Sequence, residues 1–228
     1  SVRKVAVLGA GVMGAQIAAH LANANVPVIL FDLPAREGDP NGIVNKAIEG
    51  LKKLEPSALA TKDRVAYIDA ANYATGLPRL AECDLLIEAI AERMDWKHEL
   101  YAKVAPHVAP HAIFATNTSG LSINELASAL PAALRPRFCG IHFFNPPRYM
   151  HLVELIPQKD TDAALLDALE TFVVTTLGKG VVRAKDTPNF VANRVGVFSM
   201  LATMAHTHVD TDIDCGDARP AAYRCVCS

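Results

Sequence analysis

The stretch Val5-Ala-Val-Leu-Gly9-Ala-Gly11-Val-Met-Gly14 constrains this chain more than any other. Four apolar residues, three spaced glycines and the helix-forming run Ala15 to Ala22 read as a strand, a tight turn and a helix. Gly9 permits the turn, Gly11 lets an anionic group approach the backbone, and Gly14 lets the helix pack closely on its strand. Val12 and Met13 complete the helix start, where free N–H groups and the helix dipole favour a pyrophosphate. A second apolar run, Val28 to Phe31, ends in Asp32, where an adenosine ribose needs a hydrogen-bond acceptor. The spacing points to a dinucleotide, and a carboxylate that repels a 2′-phosphate points to NAD over NADP. An ordinary glycine turn in an α/β domain is the bland alternative, and the full constellation weighs against it.

The rest of the chain continues in the same alternating style. Ile43, Val44, Ala47, Ile48, Leu51 and Leu54 recur at helical spacing, with Lys46, Lys52 and Lys53 on a solvated face. Arg64 to Asp69 reads as a third strand, Asp84 to Ile90 as a fourth, and Ala112 to Ala115 as a fifth. Between the last two, a helix from about Arg93 carries Trp96, Leu100 and Val104 on one face. Ser122 and Glu125 form a capping box for a further helix. Arg137 to His142 and His151 to Ile156 are two more strands, Asp162 caps a helix running to about Leu177, and Val181 to Ala184 is a last strand. Thr187-Pro188 opens a helix that reaches about Ala205. The pattern predicts an α/β fold, a Rossmann-like, doubly wound and mostly parallel sheet with helices on both faces.

Composition narrows the partners. A net charge of −2 over 228 residues leaves no basic excess for a general nucleic-acid binder. No run of about 18 residues is free of polar side chains, so no membrane span is expected. With no signal pattern before the first strand, the expected compartment is cytoplasmic. Cys83 and Cys139 read as core thiols.

In an open α/β sheet, ligands bind at the carboxyl edge of the strands, so polar residues there carry functional weight. Four need an account: Ser119, His142, Glu154 and Asn193. A histidine suits proton transfer near neutral pH, a carboxylate would fix its tautomer, and a serine and an asparagine could hydrogen-bond a carbonyl oxygen. Taken singly, each also has an ordinary explanation: a loop serine, a satisfied strand histidine, a buried acid paired with an arginine, a helix asparagine.

Six ordered motifs tilt that balance. Gly9 to Gly14, Ile87-Glu-Ala-Ile-Ala-Glu92, Thr116-Asn-Thr-Ser-Gly120, Gly140-Ile-His-Phe-Phe-Asn-Pro-Pro147, Leu152-Val-Glu154 and Asn189-Phe-Val-Ala-Asn-Arg194 together resemble the L-3-hydroxyacyl-CoA dehydrogenase family. The resemblance implies NAD-dependent oxidation of the 3-hydroxyl of an acyl-CoA thioester in fatty-acid β-oxidation. It implies His142 as general base, Glu154 as its partner, Ser119 and Asn193 as substrate contacts, and cofactor contacts from Asp32, Glu92, Lys97 and Asn117. It also implies a homodimer and a helical C-terminal domain. His111 and His151 match no role in that family and read as surface or packing residues.

The helical period ends near Met204. From Ala205 the chain turns to alternating His, Asp and Cys, whose spacings fit neither a calcium loop nor the usual zinc pairs, so no metal is expected. The expected domains are 1–186 for NAD binding, 187–205 as the first helix of a truncated helical domain, and 206–228 as an atypical, disordered tail. A cofactor-binding fragment without turnover is the alternative function.

Overall fold

The structure is a computed structural model that describes residues 2–209, with side chains described through residue 205. The chain divides after Phe190 into two compact units. The first is built on one eight-stranded sheet, in the order β3-β2-β1-β4-β5-β6-β7-β8. Its strands are β1 (Val5–Leu8), β2 (Val28–Asp32), β3 (Ile68–Asn72), β4 (Leu85–Glu88), β5 (Ile113–Thr116), β6 (Phe138–Phe143), β7 (Leu152–Pro157) and β8 (Gly180–Arg183). All neighbouring pairs are parallel except β6 and β7. The order reverses between β1 and β4, and such a crossover opens a crevice at the carboxyl ends of both strands.

Strand alternation sorts the core into two layers. Val5 and Val7 of β1, with Val28 and Leu30 of β2, face a layer closed by α1 (Val12–Asn23), α2 (Gly42–Leu51) and α5 (Ala163–Thr175). Ala6, Leu8, Ile29 and Phe31 face the opposite layer, closed by α3 (Met94–Val104) and α4 (Ile123–Ser128). Side chains of successive strand residues point to opposite faces, so a strand covered on both sides reads as a continuous apolar run. That is why β1, β2 and β4 were legible in the sequence.

Three local readings are corrected. Lys62–Tyr67 is a 3-10 turn and β3 starts only at Ile68, because Lys62, Asp63, Arg64 and Tyr67 have little apolar surface to place against the sheet. On α3 the buried face holds Lys97, Leu100, Tyr101 and Val104, while Trp96 is exposed beneath the Arg93 guanidinium, 4.5 Å from its ring centroid. The last helix, α6 (Ala192–Val209), starts at Ala192 and not at Thr187, since Asn189 and Phe190 both have positive φ and interrupt any helix there. It also runs past Ala205, so residues 206–209 are helical backbone where a disordered tail was expected. Residues 210–228 of that tail lie outside the described residues.

Two caps follow the sequence. Ser122 accepts the Glu125 amide at 3.3 Å, and Asp162 accepts the amides of Ala164 and Leu165. Asp186 does more for α4 than Ser122 alone. It accepts the amides of Ile123 and Asn124, each at 2.9 Å, together with the Ser122 hydroxyl and the Asn124 side chain. Burial pushes its carboxyl up, yet these donors hold it below the usual carboxylate range. Cys83 and Cys139 are buried free thiols, raised by burial to about 11 and about 12. Among the described residues, no helix is long and apolar enough to cross a membrane, and no group of three acidic, histidine or cysteine side chains could hold a metal ion.

Candidate active site at the carboxyl edge of the sheet

The glycine turn sits at the crossover. Gly9 has φ +111°, a conformation strained for any residue with a Cβ. A Cβ on Gly14 would lie 1.8 Å from the Gly9 carbonyl oxygen, so α1 can approach β1 only because that atom is missing. A Cβ on Gly11 would meet nothing within 4 Å, and the turn is therefore open on that side. Gly11 is the N-cap of α1 and brings no side chain to cap it. The first helical bond is Ala15 N–H to Gly11 O, so the amides of Val12, Met13 and Gly14 precede the helical ladder. An anion fits such a helix start.

Asp32 closes this cradle. One carboxylate oxygen accepts the Ala10 amide at 2.7 Å and the other accepts the Leu33 amide at 2.7 Å. The carboxylate thus ties the end of β2 to the glycine turn and keeps lone pairs for hydroxyl donors. These residues fit the diphosphate and ribose of a dinucleotide.

Four strands further along, the antiparallel register sets His142 of β6 directly opposite Glu154 of β7. His142 Nδ1 lies 2.8 Å from Glu154 Oε2, with both side chains buried. A buried carboxylate has to be paired, and the His142 ring is one partner here. Because a carboxylate only accepts, Nδ1 carries the proton and Nε2 is left as the acceptor in the neutral ring. The rings of Phe144 and Phe190 lie 4.5 and 5.7 Å from the imidazole, centroid to centroid, and wall it from water.

Asn117 and Glu92 connect the two ends of the site. Asn117 Oδ1 accepts the Phe143 amide at 2.9 Å, so it steadies the strand next to His142. Glu92 accepts the Thr118 hydroxyl at 2.6 Å and the Ser119 amide, which places Ser119 on the loop after β5. Asn193 lies in the first turn of α6, in the second unit. Lys97 lies on the buried face of α3. It is wholly buried, and its ammonium donates to Glu88 Oε1 at 2.6 Å. His111 Nε2 donates to Asp84 Oδ1 at 3.0 Å, and the His151 ring fills the space a Gly180 side chain would need.

Residues 4–187 match the family model described as 3-hydroxyacyl-CoA dehydrogenase, NAD binding domain. The chain belongs to the 3-hydroxyacyl-CoA dehydrogenase family. It is 44% identical over 207 residues to a protein of Deinococcus radiodurans named "Probable 3-hydroxyacyl-CoA dehydrogenase", covering 90% of this chain and 60% of that protein. A Bacillus subtilis protein of the same name is 39% identical over 218 residues, covering 89% of this chain and 28% of that one. Among solved structures, M. tuberculosis FadB2 superposes with a TM-score of 0.78 at 33% identity, over 92% of this chain and 73% of that chain. The chain therefore spans 28% to 60% of the length of these two curated relatives, and the family model it matches is that of the NAD-binding domain.

Glu88, Thr118, Tyr101 and Phe190 were missed as site residues. Glu88 had a usable signal: a lone acid ending the apolar run Leu85-Leu-Ile, the same pattern that singled out Glu154.

Proposed function

We propose that this chain contributes NAD-dependent oxidation of the 3-hydroxyl of an (S)-3-hydroxyacyl-CoA to the 3-oxoacyl-CoA, a step of fatty-acid β-oxidation. The observation that carries the reading is the buried 2.8 Å His142–Glu154 contact at the sheet edge that also holds the glycine turn. In a member of this family, NAD supplies the hydride acceptor when bound, held by Gly9, Gly11, Val12, Met13, Gly14 and Asp32.

The chain's own residues handle the proton. His142 Nε2 accepts the hydroxyl proton, and Glu154 stabilises the imidazolium that forms, in the way a buried acid orients a catalytic histidine elsewhere. Ser119 is assigned to the substrate oxygen, and the family resemblance assigns Asn193 to the substrate as well. We assign residues 1–186 to the NAD-binding domain and α6, Ala192–Val209, to the first helix of a helical domain.

The experiment is to follow NADH loss with acetoacetyl-CoA while measuring NADH binding separately, on wild type and on His142→Gln. Turnover by wild type and its loss in His142→Gln, with NADH binding retained in both, supports the reading. NADH binding without turnover by wild type would instead favour a cofactor-binding unit, the reading to which the chain's partial coverage of its relatives also lends itself.

A further inference from the structure

The loop that follows His142 is held by side chains that the proton transfer does not use. It covers residues 144–151, between β6 and β7, and begins with Phe144, whose ring lies 4.5 Å from the imidazole. Within it only Pro147 is buried, while Asn145, Tyr149, Met150 and His151 are exposed. Apolar burial therefore fixes little of the loop. Polar contacts hold it from two sides. On one, the Arg148 guanidinium donates through Nη1 to the carbonyls of Ser57 at 2.8 Å and Leu59 at 2.7 Å, and the Tyr149 hydroxyl donates to the same Ser57 carbonyl at 2.9 Å. On the other, the buried Lys179, just before β8, donates through Nζ to the carbonyls of Pro147 and Met150.

The anchor that Arg148 reaches is itself fixed. Ala58 and Leu59 are buried in the core layer that α1 closes. Asn23, the last residue of α1, donates to the Ala58 carbonyl at 2.9 Å and accepts the Ala60 amide at 2.8 Å. One guanidinium thus ties the loop after the histidine strand to a segment 91 residues away, and that segment is bound to the helix that starts at the glycine turn. Holding the loop down keeps the Phe144 ring on the imidazole, and catalysis falls steeply when a reacting group is displaced by about 1 Å. The bonds to Ser57 and Leu59 are made by the Arg148 and Tyr149 side chains, so substitution there removes them while His142, Glu154 and Phe144 stay as they are.

We propose that Arg148 is a positioning residue for the proton transfer: it pins the 144–151 loop to Ser57 and Leu59 and so holds Phe144 against His142. The inference rests on the dehydrogenase reading above. The test compares wild type with Arg148→Met and Arg148→Lys, with thermal unfolding measured on each. Diethyl pyrocarbonate acylates an unprotonated imidazole nitrogen, here His142 Nε2, and mass spectrometry gives the rate at each histidine. Arg148→Met leaves neither carbonyl bare, because the Tyr149 hydroxyl still donates to Ser57 O and the Ser57 hydroxyl to Leu59 O. It raises the His142 rate about tenfold, leaves the rate at His98 of α3 unchanged, and lowers kcat with acetoacetyl-CoA about tenfold with KM within about twofold. Arg148→Lys restores the His142 rate and kcat to within about threefold of wild type, since one ammonium can serve two carbonyls, as Lys179 does. An unmoved His142 rate in folded Arg148→Met overturns the proposal. So does an equal rise at His98, which marks loosening of the whole domain, or a kcat within about twofold of an active wild type. Should Arg148→Met fail to fold, Tyr149→Phe removes one donor to Ser57 and raises the His142 rate about threefold, and an unmoved rate there overturns the proposal. A wild type that binds NADH without turnover sinks the dehydrogenase reading, whereas the His142 rates still decide whether Arg148 holds Phe144 in place.

Discussion

His142 Nδ1 and Glu154 Oε2 stand 2.8 Å apart because the two residues are direct partners in the antiparallel β6–β7 register. Replacing Glu154 by Gln leaves a side chain that can donate as well as accept, so the imidazole is no longer held in one tautomer. The expected result is a loss of about 10²-fold or more in kcat with the chain still folded, by analogy with other acid–histidine pairs. Steady-state kinetics with acetoacetyl-CoA check this, and a variant within threefold of wild type would count against the pair's catalytic role.

Gly11 and Gly14 make opposite predictions despite standing three residues apart. Gly14→Ala forces a Cβ to within 1.8 Å of the Gly9 carbonyl and has to push α1 off the sheet, costing at least about 1–3 kcal/mol of stability. Gly11→Ala meets no atom within 4 Å, so its melting temperature stays close to wild type. The added methyl instead occupies the open side of the turn, and NADH affinity drops at least about tenfold. Thermal unfolding alongside NADH titration separates the two.

Asp32 has two tasks, one inside the protein and one toward the ribose. Asp32→Ser removes the repulsion toward a 2′-phosphate, and the NADH-to-NADPH affinity ratio is expected to fall by about tenfold or more. Because the carboxylate also accepts the Ala10 amide, NADH binding weakens in absolute terms too. An unchanged ratio would show that the cofactor preference is set elsewhere.

His20 of α1 gives the fold an acid-sensitive point. Burial, with Lys179 and Arg148 nearby, lowers its pKa from 6.5 to about 4, against a favourable contact with the Leu177 carbonyl. Between those values the unfolded chain binds a proton that the folded chain does not, so stability declines as pH falls from about 6.5 toward 4. The fall in melting temperature between pH 7 and pH 5 should be smaller for His20→Gln than for wild type. Asp84 and Asp186, whose carboxyls are held low, lose their contribution only at more acidic pH and do so in both proteins.

Local sequence was a good guide wherever one periodicity controlled the outcome. The apolar runs of β1, β2 and β4, the glycine spacing and the Ser122 and Asp162 caps all depend on neighbours within a few positions. It was a poor guide to α3, where Lys97 and not Trp96 turns inward. Helical spacing ranks Trp96 as the apolar choice, but the buried Glu88 carboxylate, nine residues earlier, requires a cation. The start of α6 was misplaced for a different reason: Thr187-Pro188 is a good helix opening, and only the backbone of Asn189 and Phe190 shows that the chain turns instead.

The sequence alone determined the cofactor turn, the acid at the end of β2 and the family, because each is written in contiguous residues whose spacing a single strand, turn and helix impose. Only the tertiary structure decided which acid meets which base. His142 and Glu154 are twelve residues apart and pair through strand register, and Glu88 gathers Lys97, Tyr101 and Thr116 from one helix and one neighbouring strand. A buried carboxylate announces in sequence that it needs partners; which donors reach it depends on how strands are ordered across the sheet.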